Sequence, residues 1–519
     1  MKRLPVYIVL GMLPIVLLVT GFIFFPQPGK KQTTQLMPPT GEELARIYCA
    51  TCHVFPEPSL LDKSTWKEHV LPNMGWRLGI RKPGDEPFAA IEKDDAEIVK
   101  ALNVYPDQAL ITKENWQKIV AYFLLKAPDK PLPQKPPLAF EKELTGFHAQ
   151  ALFIGNKKFP KTSLLKFDPA TSLLYIGDAQ NELYAVRGSN SKLVASWKVE
   201  SPPVDIDFPA SGFPRVLCIG SISPSEKKTG SLYSLDSNQI SPGETSKFEK
   251  LARPVQFAEA DLNGDGKKDL VICQFGNHTG KLSWFDGGDP EKEHILKLQP
   301  GARKVEIKDV NGDGKPDIIA LMAQAREELT LFTNKGNNQF SEKVLYTFPP
   351  VYGVSYFELD DFNKDGHPDI LVTNGDNWDL SPVRKNYHGI RILMNDGKNN
   401  FKVSHFFPLY GCSKAIARDF DHDGDLDIAA ISFYDDPANP SDAFLYLENK
   451  GSLHFSAEST PLTGNGKWLT MEVGDLNHDG YDDIVLGSYI YSMGELTKLL
   501  KKGVESFPQT IILWNDKKK

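Results

Sequence analysis

Asp261-Leu262-Asn263-Gly264-Asp265-Gly266-Lys267-Lys268-Asp269 runs directly into the apolar stretch Leu270-Val271-Ile272-Cys273. Acidic or amide side chains alternate across a glycine-bearing turn, and a short strand follows. The pattern returns at Asp309 to Asp317, Asp361 to Asp369, Asp419 to Asp427 and Asp475 to Asp483, with starts 48, 52, 58 and 56 residues apart. Each copy precedes a strand-like run (LVIC, IIAL, ILVT, IAAI, IVLG). A second run rich in aromatics and leucine comes later in each unit (KLSWF, LTLFTN, RILMN, FLYLEN, IILWN) and mostly ends near Asn/Asp-x-Gly. Self-similarity at this period is the mark of a repeat architecture.

Two degenerate units precede these five. Asp207 to Ile219 keeps the first aspartate and Gly212 but has Arg215 in the last acidic place, and Asp168 to Gly177 is weaker still. Seven units, each supplying several strands, predict a seven-bladed β-propeller over about residues 145–519. The chain ends soon after IILWN, so the last blade lacks an outer strand, and Thr145 to Phe159 is the candidate to supply it.

The repeated loops offer oxygen ligands at their first, third, fifth and ninth positions, with glycine at the sixth and a backbone carbonyl at the seventh. The candidate metal ligands are Asp261, Asn263, Asp265 and Asp269; Asp309, Asn311, Asp313 and Asp317; Asp361, Asn363, Asp365 and Asp369; Asp419, Asp421, Asp423 and Asp427; and Asp475, Asn477, Asp479 and Asp483. Carboxylates so crowded repel one another without a cation. About five Ca2+ ions are therefore expected, holding strands together. No glutamate closes the loops in the EF-hand manner, and strands rather than helices flank them.

The front of the chain carries different chemistry. Cys49-Ala50-Thr51-Cys52-His53 is C-x-x-C-H, the pattern for one covalently attached heme c. Two thiols three apart reach the two vinyl groups of one porphyrin, and the adjacent histidine falls beneath the iron. Thr40 with Glu43 forms a capping box opening a helix, and a second helix is predicted from Thr112 to Leu125. Met74, in a Pro/Gly-flanked loop, is the expected distal ligand; His69, an open iron, or a mere packing role for Met74 are the alternatives. Residues 41–127 are expected to form a small all-α cytochrome c domain. The Pro-rich stretch 128–144 then reads as a stiff linker.

Val6 to Phe25 is twenty residues without a charge, preceded by Lys2 and Arg3. It predicts an N-terminal membrane helix within 1–30, with a cleaved signal segment as the competing reading. Either reading exports the chain. The anchored version places the bulk on the periplasmic side of the cytoplasmic membrane.

The 519 residues carry a formal charge of −8, with 24% charged and 41% hydrophobic side chains. This is globular composition and argues against a nucleic-acid partner. Five cysteines are too few for a disulfide scaffold, and Cys218, Cys273 and Cys412 read as buried small apolar residues.

The repeats resemble the FG-GAP/VCBS propeller family, whose loops bind calcium, and the front resembles class I-type cytochrome c domains. The whole is similar to exported bacterial proteins that fuse the two. The resemblance implies electron transfer with a redox partner protein, the propeller recognising a partner, a carbohydrate or a small molecule. Two alternatives are an oxidoreductase whose propeller oxidises a small substrate and passes electrons to the heme, and a calcium-dependent adhesion propeller. No G-x-S-x-G, H-E-x-x-H, P-loop or dinucleotide fingerprint is present. The long loop Asn374 to Gly389, holding Asp376, Trp378, Asp379, Arg384, Tyr387 and His388, is a candidate recognition surface together with Tyr434-Asp435-Asp436 and Tyr489-Ile490-Tyr491.

Overall fold

A computed structural model describes residues 38–517 apart from 90, 135–138, 156, 158, 236–247, 325, 377–382 and 435–442. It contains seven four-stranded antiparallel sheets arranged as the blades of a propeller. From their innermost strands they are blade 1 (from Thr162–Asp168), blade 2 (from Pro203–Asp207), blade 3 (from Pro254–Ala260), blade 4 (from Ala302–Lys308), blade 5 (from Val354–Asp360), blade 6 (from Cys412–Arg418) and blade 7 (from Trp468–Gly474). Blade 7 is closed by Phe147–Leu152, which pairs with the last strand from Phe147 opposite Asn515 to Leu152 opposite Thr510. The ring is thus stapled by strands more than 350 residues apart in sequence, and the closing strand lies inside the stretch expected to supply it.

The second strand of each regular blade has an apolar centre because both of its faces are covered. Asp269–Gln274, Asp369–Asn374, Asp427–Ser432 and Asp483–Ser488 are buried at every position. The core lies between blades. Phe420, Phe444, Trp468, Met471 and Leu486 join blades 6 and 7, and Leu165, Ile176, Leu476, Val485 and Ile512 join blades 7 and 1.

The innermost strands leave edge N–H groups facing the axis, which need partners. Carboxylates from the preceding blade supply them. Asp205 accepts from the Phe257 N–H (3.1 Å), Glu306 from Leu359 (3.3 Å), Glu358 from Ala417 (2.9 Å) and Glu472 from Phe167 (3.4 Å).

The expected fold class needs correction. No small all-α cytochrome c domain stands apart from the propeller: Thr40–Lys519 forms one compact unit. The helices Gly41–Tyr48, Leu71–Arg77, Lys93–Ala101 and Lys113–Lys126 belong to it. Their core of Leu44, Trp66, Ile119 and Phe123 includes Val351 and Tyr387 of the propeller. Bonds reach blades 2, 4 and 5 from Lys227 to Glu92 (2.6 Å), from Arg326 Nε to the Cys52 carbonyl (3.4 Å) and from Tyr387 Oη to the Leu60 carbonyl (3.1 Å). The physical reason is surface. Four short helices cover too little apolar area alone, and the propeller loops complete their core.

The membrane helix expected over Val6 to Phe25 lies outside the described residues. Among the described residues no helix is long and apolar enough to cross a membrane. The Pro-rich stretch is tied down at both ends. The Pro128 carbonyl accepts from Lys63 N–H (2.8 Å), and Glu141 pairs along blade 6 with Ala457 and Ser459.

Candidate functional site

The five aspartate loops share one construction. Their sixth residue is a glycine in the left-handed region, from Gly314 at φ +80° to Gly424 at φ +94°, which turns the chain back on itself. In the first loop Asp261 Oδ1 accepts the Gly264 N–H (2.7 Å) and Oδ2 the Gly266 N–H (2.9 Å), while Asn263 Oδ1 accepts from Asp265 (3.0 Å). Asp309, Asp361 and Asp475 likewise take the N–H of their loop's sixth residue. The first, third and fifth side chains thus converge on the inside of the turn.

The ninth-position aspartates are fully buried brackets. Asp317 accepts from Val310 (3.2 Å) and Asn334 (2.8 Å), Asp369 from Phe362 (3.1 Å) and Asn395 (2.8 Å), and Asp483 from Leu476 (3.1 Å) and Asn515 (2.9 Å). Asp269 does the same with Leu262 (2.7 Å) and Gly287 (2.7 Å), and Asp427 takes Asn449 N–H (2.7 Å) and Tyr446 Oη (2.7 Å). Each oxygen keeps a second lone pair for a cation. Burial pushes Asp427 up to about 6 and Asp483 up to about 7.

The loop of blade 6 differs. Asp419, Asp421 and Asp423 each offer a carboxylate oxygen within 4.8 Å of the others. Asp419 Oδ1 is buried and accepts no hydrogen bond. Burial, with the Asp423 charge beside it, raises Asp421.

Residues not singled out in the sequence link these loops to the next blade. The second residue of each loop is an apolar wedge. Leu262 packs in the core shared by blades 3 and 4, Phe362 in that of blades 5 and 6, Phe420 in that of blades 6 and 7, and Leu476 in that of blades 7 and 1. Asn334 Nδ2 donates to the Leu262 carbonyl (2.7 Å), and Asn515 Nδ2 to that of Phe420 (2.8 Å). The sequence signal for them is the apolar second position of all five loops together with Asn334, Asn395, Asn449 and Asn515 at or near the ends of the third strands of blades 4 to 7.

At the front, Thr40 and Glu43 form the capping box, and Thr112 caps Lys113–Lys126. Cys49 is the C-cap of Gly41–Tyr48, so the C-x-x-C-H turn leaves the helix at once. Both thiols are free, Cys49 half-buried and Cys52 exposed. Burial pushes the Cys49 thiol up to about 11. His53 Nδ1 lies 2.9 Å from the Val54 carbonyl, which fixes the proton on that nitrogen and leaves Nε2 as a lone-pair donor. Burial lowers the His53 imidazole, and the Arg77 charge adds to this. Met74 lies within the helix Leu71–Arg77 rather than in the expected loop, because Pro72 sits in the first turn where its missing N–H costs nothing, and it is half-buried against the same cluster as Cys49, Leu78 and Ile80. His69 is exposed.

The long loop of blade 5 is only partly a surface. Trp378 and Asp379 lie outside the described residues, as do Asp435 and Asp436 of the next blade. Tyr387 and His388 are 6% and 1% exposed, and Tyr489 and Ile490 are also buried. Tyr387 stacks on Tyr352 at 4.4 Å between centroids and 8° between planes. Arg384 is exposed.

Three stretches, residues 261–320, 309–372 and 419–486, match the FG-GAP-like repeat family. Each begins at, or spans, the aspartate loops. The chain therefore carries FG-GAP-like repeats in a seven-bladed β-propeller. Among solved structures, the Neurospora crassa Pan2 WD40 domain is 11% identical over 73% of this chain and 98% of its own, with a TM-score of 0.43. Saccharomyces cerevisiae Sqt1 is 9% identical over 68% of this chain and 83% of its own, with a TM-score of 0.42. Likenesses this distant carry no argument about function.

Proposed function

We propose that this chain is an exported electron-transfer protein holding one covalent heme c through Cys49, Cys52 and His53, with its calcium-loaded propeller docking a redox partner or a small ligand. The observation that carries the reading is the His53 hydrogen bond to the Val54 carbonyl. It orients the ring and leaves Nε2 for iron, directly beside two unpaired thiols at the spacing heme attachment needs. Met74 is the distal ligand in this reading, because it borders the apolar cluster that Cys49 joins. His69 stands in solvent.

When bound, the heme supplies one-electron redox chemistry. The chain's part is to fix the His53 tautomer, keep Cys49 and Met74 against the apolar cluster that Leu78 and Ile80 also join, and hold the segment on the propeller through Arg326 and Tyr387. FG-GAP-like repeats support a binding role for the propeller. The orphaned Asp419 Oδ1 beside Asp421 and Asp423 supports a cation in that loop. The other four loops offer the same set with asparagine in the third place.

The test is a redox titration of the heme-loaded chain. Met74→Ala should lower the midpoint potential or open the iron to added imidazole, with His69→Ala unchanged. A shift on His69→Ala alone would transfer the distal role.

A further inference from the structure

The crown of blade 5 gathers buried polar groups, and two of their donor atoms have no partner. Asn374, His388, Lys385 and Arg391 are 0%, 1%, 6% and 7% exposed. Asn374 ends one strand opposite Gly389, and His388 and Lys385 lie on the chain entering Gly389–Asn395. Gly411 N–H donates to His388 Nδ1 (3.3 Å), so the neutral ring carries its proton on Nε2. That Nε2 is buried and unpartnered. Asn374 Oδ1 accepts from Arg391 Nη1, and arginine only donates, so the amide orientation is determined and Nδ2 faces inward as a donor. It too is buried without a partner.

The charges repeat the pattern. Arg391 donates to Asn374 and to the Tyr387 carbonyl (2.7 Å), and lies over the rings of Tyr352 (5.2 Å) and Phe406 (4.3 Å). Among the described residues no carboxylate acts on it. Among the described residues Lys385 feels one acid, Asp376, which already faces Arg303 at 3.6 Å. Burial lowers Lys385 to about 7 and Arg391 to about 10, as cations respond when desolvation outweighs the charges that oppose it.

Among the described residues both partnerless atoms here, Asn374 Nδ2 and His388 Nε2, are donors. A buried water is held by both donors and acceptors, so its own protons would find no partner in this cluster. An oxygen-rich anion satisfies all the donors at once and offsets the buried charge. We propose that Asn374, Lys385, His388 and Arg391 form a buried site for a small oxyanion or carboxylate ligand. The site adjoins Tyr387, whose carbonyl is held by Arg391 and whose hydroxyl holds the helical segment, so a ligand here bears directly on that contact.

The experiment is calorimetric titration of the calcium-loaded full chain with sodium sulfate and, separately, sodium succinate, against sodium chloride at matched ionic strength. The two arms distinguish a tetrahedral oxyanion from a carboxylate. Saturable binding of either, weakened at least tenfold by Lys385→Met and by His388→Phe, supports the site. No saturable binding of both anions overturns it, and so does equal binding by wild type and Lys385→Met. Because a variant can fail to fold, the wild-type chain with 15N-labelled histidine gives a second reading. One buried Nε2–H resonance should shift on saturation, and shifts confined to exposed histidines would overturn the proposal.

Discussion

Replacing Tyr387 tests whether the helices and the propeller are one body. Its ring is 6% exposed, stacks on Tyr352 and donates to the Leu60 carbonyl. Tyr387→Phe removes one neutral hydrogen bond and should cost about 1 kcal/mol. Tyr387→Ala removes the ring and leaves a cavity in the shared core, for about 3–5 kcal/mol. The loss falls on the contact rather than on either side alone. It should therefore appear as faster local opening of the helices Gly41–Tyr48 and Lys113–Lys126. At roughly 1.4 kcal/mol per factor of ten, 4 kcal/mol is about a thousandfold faster amide exchange there. Exchange followed by mass spectrometry on wild type, Tyr387→Phe and Tyr387→Ala would read this directly. Unchanged exchange in both helices, with protection lost only in blade 5, would refute the shared core.

Chelating calcium should lower the melting temperature of the propeller. One loop with free ion at a hundred times its dissociation constant contributes about 2.7 kcal/mol, and five loops acting on blade junctions should make the fall large. A melting curve indifferent to chelator would remove calcium from the account. Lys385 sets a pH dependence. Its folded-state pKa is lowered from 10.5 to about 7, so between those values the unfolded chain holds a proton the folded chain lacks. Stability should therefore rise with pH from about 7 towards 10, by up to about 4 kcal/mol at 1.36 kcal/mol per unit. This holds in buffers free of sulfate and carboxylates. Denaturant melts of Lys385→Met should lack that rise, and an identical slope in both proteins would refute the assignment.

The blades were legible because their signals are local. A turn that needs glycine at Gly266 or Gly424 and carboxylates to organise its N–H groups repeats in blades 3 to 7, and a doubly buried strand such as Asp427–Ser432 reads as an apolar run. The closing strand Phe147–Leu152 was legible by subtraction, since a blade ending at Asn515 lacks an edge. What failed to show was long-range. Tyr387 looks like a loop aromatic until Leu60, 327 residues away, is placed on it. The same distance hid the docking of the helices, which the sequence presents as a domain followed by a proline spacer. The wedges Leu262 and Phe420 stand between ligand positions in the sequence, and only the ring geometry puts them between blades. The partnerless donors of His388 and Asn374 depend on tautomer and amide orientation, which no sequence pattern records.

The central claim is that Cys49 and Cys52 carry heme. The direct measurement is intact mass together with oxidised and reduced visible spectra of the chain, produced in a host that attaches heme covalently. The account predicts one added heme that survives denaturation and a reducible low-spin spectrum. Both should be lost in the Cys49→Ala, Cys52→Ala double variant. A wild-type mass with no addition and a featureless visible spectrum would contradict it, leaving a calcium-loaded binding propeller.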